Sequence, residues 1–188
     1  MTEIHLLAIN PGSTSTKVAL SRNGRIYATR TLYHDPKELP SGNVTRQLSL
    51  RLKAVEDFLD EEGVKLQNLT AIVARGGLLR PVSSGVYIVN ESMLNDLREG
   101  KQGFHASNLG GIIAHALAIK AGLKAYIVDP PSVDEFEELA RFSGLPELPR
   151  HSQLHALNIR RVALQVAQTL NRDVRDCHSV IAHLGGGI

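Results

Sequence analysis

Short apolar runs, each stopped by residues that favour turns, dominate the opening of the chain. Glu3 to Ile9 is such a run, ended by Asn10-Pro11-Gly12, and its length predicts a buried strand. Thr16 to Ser21 predicts a second strand. Asn23-Gly24 follows, a hairpin signal because both residues tolerate positive φ, and Arg25 to Tyr33 predicts a third strand. The opening therefore reads as a three-stranded antiparallel meander.

The period then changes. After a loop from Asp35-Pro36 to Gly42, Leu48, Leu52, Val55 and Leu59 fall on one face of a helix expected over Val44 to Glu62, closed by Gly63. Ala71 to Ala74 predicts a short buried strand, ended by Arg75-Gly76-Gly77. Helices are expected from Asn90 to Glu99, stopped by Gly100, and from a Ser107 cap to Ala121, stopped by Gly122. Ala125 to Val128 predicts a strand, halted by Asp129-Pro130-Pro131. Ser132 with Glu135 forms a capping-box pattern for a fourth helix. Gly144 to Pro149 is a proline-rich connector, Ser152 to Leu170 predicts a fifth helix, and Ser179 to His183 a last strand. Helices alternating with a mixed sheet mean an α/β fold. The chain stops inside the glycine-rich turn Leu184-Gly185-Gly186-Gly187, which reads as an incomplete second unit.

Composition excludes more than it selects. No run approaches the ~18 consecutive apolar residues of a membrane span, and no basic region followed by a long apolar stretch marks a secretory signal. Cys177 is the sole cysteine, so no intrachain disulfide forms, which fits a cytoplasmic setting. The net charge is +2 with scattered basic residues and aromatics at 4%; neither a basic stripe nor stacking platforms for a nucleic acid are present.

The segment Asn10 to Lys17 carries the first candidate chemistry. It lacks the second glycine and the following helix of a Walker A loop. Gly12 allows a tight turn, and Ser13, Ser15 and Lys17 share one face of extended chain, which lines two hydroxyls and an ammonium along a polyphosphate. An ordinary Ser/Thr-rich hairpin with an exposed lysine is the plain alternative. Ser179 to Gly187 repeats the plan of strand, polar residue and glycine turn. Two such units suggest two loops clamping one phosphate chain, the logic of actin-like ATPases.

Several segments in order then resemble one family. Ile9-Asn-Pro-Gly-Ser-Thr-Ser-Thr-Lys17, Ala74-Arg-Gly-Gly-Leu-Leu79, Gly85-Val-Tyr, Val89-Asn-Glu, Val128-Asp-Pro130, Ser143-Gly-Leu-Pro146, His155-Ala-Leu-Asn158 and Ala182-His-Leu-Gly-Gly-Gly187 resemble the motifs of butyrate kinases, over the whole chain. Acetate kinases are close relatives, which favour Cys at the position of Pro11 and His at that of Arg75. The resemblance implies an actin-like (ribonuclease H-like) fold, with an N-terminal domain over residues 1–129 and connecting helices plus the first strand of a truncated second domain over 130–188. It also implies ATP/ADP and Mg²⁺ as cofactors, a small-molecule carboxylate as substrate, homo-oligomers when intact, and little or no activity for this chain alone.

Phosphorylating a carboxylate needs no strong base, because the acceptor is already ionised; the difficulty is bringing two anions together. Arg75, on a Gly-Gly turn, can hold carboxylate or phosphoryl oxygens with its planar fork. His155, in a first helical turn, is implied as a transition-state stabiliser, and Asp129, at a strand end, as a Mg²⁺ or acceptor orienter. Asn10 is implied to touch metal or phosphate, and His183, Gly185, Gly186 and Gly187 to grip phosphate opposite Gly12, Ser13, Ser15 and Lys17. His105 is a weaker candidate, and His115 reads as a packed or solvent-edge residue. Val82, Val86 and Tyr87, or Leu78 and Leu79, are candidates for an acyl pocket. The competing readings are acetate kinase, another actin-like kinase such as a sugar kinase, and a non-catalytic ATP-binding module.

Overall fold

The computed structural model describes residues 3–40 and 44–183. Strands β1 (His5–Pro11), β2 (Ser15–Arg22) and β3 (Arg25–Tyr33) form the expected antiparallel meander, turned at Asn23 and Gly24, both at positive φ. Helix α1 (Leu48–Glu61) follows a short 3-10 turn over Val44–Gln47. Then come β4 (Ala71–Arg75), β5 (Val86–Ile88), α2 (Glu91–Glu99), α3 (Asn108–Ala121), β6 (Ala125–Val128) and α4 (Ala156–Thr169). The sheet order is β3-β2-β1-β4-β6-β5. β1, β4 and β6 run parallel, and β5 lies antiparallel on β6.

Alternation decides which face of this sheet is covered. Along β1, Leu7 and Ile9 are buried while Ala8 is exposed and Leu6 and Asn10 half-buried. Val18 and Leu20 of β2, and Ile72 and Ala74 of β4, join the buried set. Val55, Phe58 and Leu59 of α1 and Leu109, Ile113 and Leu117 of α3 complete one continuous core. α3 is apolar nearly all round because it packs between α1, α2 and the sheet. Each large side chain buried here stabilises by roughly 1.5–3 kcal/mol.

Several sequence expectations fail in informative ways. β5 was not foreseen: three residues, two of them exposed, give no alternation to read. The Ser132–Glu135 box caps no helix, and only a 3-10 turn forms, at Glu138–Arg141. Ser132 Oγ instead accepts from the Leu79 amide at 2.7 Å, and Glu135 Oε1 from the Ser84 amide at 3.0 Å. Both side chains thus tie the 79–85 segment alongside, where Val82 and Val133 form a parallel bridge. Ser107 does not cap α3 with its side chain; its hydroxyl meets His105 Nδ1 at 2.7 Å. The last helix starts at Ala156 rather than Ser152, because Ser152 Oγ donates to the Val133 carbonyl at 2.7 Å and stays in the preceding turn. Residues 179–183 form no strand, and Val180 is fully exposed, with no strand beside it among the described residues. Gly185, Gly186 and Gly187 lie outside the described residues.

Candidate active site

Three parallel strands end together, and each end delivers one polar residue. Ile9 pairs with Ala74 and Arg75 with Val128, so Asn10, Arg75 and Asp129 meet at the carboxyl edge of β1, β4 and β6. That edge is where open α/β sheets hold ligands. The first turn of α4 faces it. Asn10, Arg75, Asp129, Leu154, His155, Leu157, Asn158, Arg161 and His183 line one cleft of about 460 Å³, within the usual range for small-molecule sites. A trough of about 630 Å³ on the uncovered sheet face adjoins it, sharing Asn10, Arg75 and Leu157 and adding Lys17, Ala8, Ala19 and Val73.

Arg75 is placed by its neighbours' lack of side chains. A Cβ on Gly110 would stand 2.2 Å from the Arg75 carbonyl oxygen, and one on Gly77 would stand 2.5 Å from the Asn108 Cα. Glycine at both positions lets α3 press directly on the end of β4 and the turn after it. Asn108, fully buried, locks that turn: its Oδ1 accepts from the Leu78 amide at 2.9 Å and its Nδ2 donates to the Gly103 carbonyl at 2.9 Å.

Arg75 Nη2 donates to His155 Nδ1 at 3.0 Å. Arginine has no acceptor, so Nδ1 must be unprotonated and the proton sits on Nε2. The neutral imidazole agrees with its surroundings: burial, then the charge of Arg75, then His183 and His105, hold the His155 pKa below the ordinary histidine value. Burial and Arg75 lower His105 in the same way, and burial lowers Arg75 itself. His183 stacks on His155 with ring centroids 4.2 Å apart, and its Nδ1 meets Asn158 Oδ1 at 3.1 Å. Among the described residues Arg75 has no acidic partner, so the cleft carries a positive charge awaiting an anion.

Asp129 sits in the left-handed region, at φ 36°, a conformation aspartate tolerates better than most residues. Its Oδ1 accepts from the Gly85 amide at 2.8 Å and the Ser84 hydroxyl at 3.0 Å, and its Oδ2 lies 3.7 Å from Arg160 Nε. The carboxylate is thus oriented by the turn before β5 and anchors α4. Among the described residues no group of three or more His, Cys, Asp or Glu side chains could hold a metal. The cleft offers one carboxylate, Asp129, and two amides, Asn10 and Asn158, of which Asp129 and Asn10 at the strand ends suit an ion held mainly by phosphates and water, as Mg²⁺ usually is.

Of the other sequence candidates, Lys17 lies opposite Asn10 in the β1–β2 ladder and lines the trough. Gly12, Ser13 and Ser15 form the hairpin turn beyond that pair and do not line the cleft. No internal neighbour demands glycine at position 12, where a Cβ would meet only ordinary contacts. Val82, Val86, Tyr87, Leu78 and Leu79 do not line the cleft either; its apolar wall is Leu154, Ala156 and Leu157. His115 is placed 3.5 Å from Glu91 on the α2–α3 surface. Arg51, Arg160 and Arg161 were missed. Arg51 could have been found, because it falls on the apolar stripe of its own helix.

No family model matches the chain. Butyrate kinase 2 of Clostridium acetobutylicum is 50% identical over 184 residues, which are 97% of this chain and 52% of that protein. Butyrate kinase 1 of the same organism is 44% identical over 183 residues, with the same coverage. The chain thus spans about half the length of the curated relatives it matches. The crystal structure of Porphyromonas gingivalis acetate kinase superposes with a TM-score of 0.59 at 15% identity, covering 91% of this chain and 50% of that one, a likeness of fold. Over nearly its whole length the chain is similar in sequence to butyrate kinases, and its mixed six-stranded sheet with flanking helices has the α/β fold seen in acetate kinase.

Proposed function

We propose that the protein carrying this chain transfers the γ-phosphoryl group of ATP to a short-chain carboxylate of the butyrate type, giving an acyl phosphate and ADP. The observation that carries the reading is Arg75: half-buried at the strand edge, its side chain hydrogen-bonded among the described residues to a neutral histidine and to no acid. The 44–50% identity to butyrate kinases supports the choice of acceptor.

A carboxylate acceptor has a pKa near 4–5 and is ionised at neutral pH. It attacks phosphorus in line while the bond to the bridging oxygen of ADP breaks, and no proton is moved. The residues' task is alignment and charge. Arg75 offers its fork to carboxylate or phosphoryl oxygens, and His155 adds a neutral Nε2–H donor. Leu154, Ala156 and Leu157 give the alkyl group an apolar wall. Mg²⁺ would arrive with the nucleotide and neutralise phosphate charge, with Asn10 and Asp129 the residues of this chain nearest to hold it. Residues 130–183 are read as the connection toward the part that closes the cleft.

The test is hydroxylamine trapping of acyl phosphate by the protein as it occurs in the cell, with ATP, Mg²⁺ and butyrate or acetate. Butyryl hydroxamate should form preferentially, and Arg75→Ala should lower its rate about 100- to 1000-fold, as loss of a charge-stabilising donor does. ATP binding with no hydroxamate from any short carboxylate overturns the reading.

A further inference from the structure

Arg51 is fully buried in α1, beneath the hairpin turn that joins β1 to β2. Its Nε donates to Gln47 Oε1 at 3.1 Å and its Nη2 to the same oxygen at 2.9 Å. Nη2 also donates to the Ser13 carbonyl at 2.9 Å, and Nη1 to the Ser15 carbonyl at 2.9 Å and Thr16 Oγ1 at 3.0 Å. Every acceptor is neutral, and among the described residues Arg51 has no acidic partner. A cation buried without an acid is expensive, and burial indeed lowers its pKa. An apolar residue on this stripe of α1 would give a cheaper core.

The turn itself shows what the arginine achieves. The carbonyls of three successive residues are all taken up on the protein side: Ser13 by Arg51, Thr14 by the His34 amide at 2.9 Å, and Ser15 by Arg51 and by the Gly12 amide at 2.7 Å. Thr16 Oγ1 accepts from Arg51 and is hydrogen-bonded to His34 Nε2 at 2.9 Å, so its hydroxyl is held too. The amides of Ser13 and Thr14 donate to no described residue, and both side chains are exposed. A turn whose carbonyls are bound from behind and whose amides and hydroxyls are unused is arranged for an anion.

We propose that Arg51 is a positioning residue for phosphate binding: it clamps the Ser13–Thr16 turn by its carbonyl side and sets a fixed positive charge behind it, so that Ser13 and Thr14 receive a phosphate group of the nucleotide. The proposal rests on the kinase reading only for the nucleotide's identity; the turn's preference for a phosphate chain stands on its own geometry. Gln47 completes the device by taking two of the five N–H groups, leaving the others aimed at the turn.

The experiment measures calorimetric binding of ATP and of inorganic tripolyphosphate to the protein as it occurs in the cell, in the wild type, Arg51→Met and Arg51→Lys. Phe58→Leu, a core change in the same helix away from the turn, controls for lost stability. Arg51→Met should weaken both ligands about 10- to 100-fold, because the turn loses its fixed charge and the charge-assisted bonds that hold its carbonyls, with Arg51→Lys in between and Phe58→Leu unchanged at temperatures where it is folded. Equal tripolyphosphate affinity in folded Arg51→Met and wild type overturns the proposal. Should Arg51→Met not fold, nuclear magnetic resonance of the wild type decides. The Ser13 and Thr14 amides and the Arg51 Nε–H should shift together as tripolyphosphate is added, and unmoved amides overturn it. Arg51-dependent tripolyphosphate binding without acyl phosphate formation would sink the carboxylate kinase reading and leave this one standing.

Discussion

The chain up to Val128 and the chain after it are built on different terms. Every member of the continuous core lies between Leu7 and Ile127. Beyond that point the buried apolar side chains among the described residues are Pro130, Val133, Ala156 and Ala167, while Leu139, Phe142, Leu145, Leu148 and Leu170 are largely exposed. The first region holds its shape by burying large side chains. The second is held by polar ties to the first: Ser132 to Leu79, Glu135 to Ser84, Asp129 to Ser84 and Gly85, and His155 to Arg75. The difference teaches that the cleft has one rigid wall and one wall fastened mainly by hydrogen bonds and charge.

The largest effect that would break this contrast comes from Phe58. Phe58→Ala should destabilise by about 3–5 kcal/mol in denaturant titration, the usual result of emptying a large core site. A loss below 1 kcal/mol would show that the first region is not the stabilising one. Next is Gly110→Ala, whose methyl meets a backbone oxygen that no rotamer change can move. A loss of about 1–3 kcal/mol is expected, together with weaker activity because the end of β4 that carries Arg75 must shift.

The pattern of apolar positions made the first region legible because its partners are the chain's own neighbours. The meander, β4, β6 and the ends of α2 and α3 follow from alternation, the 3.6-residue period and glycine stops. Patterns in the second region misled because they specify local structure only when nothing else claims the polar groups. Ser132 and Glu135 satisfy a capping rule, but two amides far back in the chain, Leu79 and Ser84, took both side chains. The site divided in the same way. Arg75, Asp129 and Asn10 were readable as polar residues at strand ends. The buried role of Arg51 was signalled by its place on the apolar stripe of α1, a signal easily passed over because a charged residue on a helix is ordinarily read as solvated.

Acid should sharpen the contrast further. The pKa values of His34, His105 and His155 are all lowered, chiefly by burial and then by the nearby Arg51 or Arg75. The unfolded chain therefore binds protons more readily than the folded one. Stability is fully present above the ordinary histidine value of about 6.5 and is lost as pH falls through and below it. The melting temperature should drop between pH 7 and pH 5. His155→Asn should flatten part of that slope, and a melting temperature flat over this interval would refute the assignment of neutral imidazoles.

The smallest effect is expected at Phe142, which is 73% exposed. Phe142→Ser should change stability by less than about 0.5 kcal/mol, as surface substitutions do. A larger loss would reveal that the second region buries more in solution than the chain alone shows.

The contact between Gly110 and the Arg75 carbonyl has a consequence for how such sequences can diverge. Most packing conflicts are repaired by trimming the opposing side chain, so that two positions drift together. Here the opposing atom is backbone, as it is where Gly77 meets the Asn108 Cα, and no substitution elsewhere can make room. Any lineage that keeps this strand against this helix at this spacing has no mutational path through alanine at either position. The pair of glycines therefore serves as a marker for the site in distant sequences, legible even after the residues that face the ligand have been exchanged.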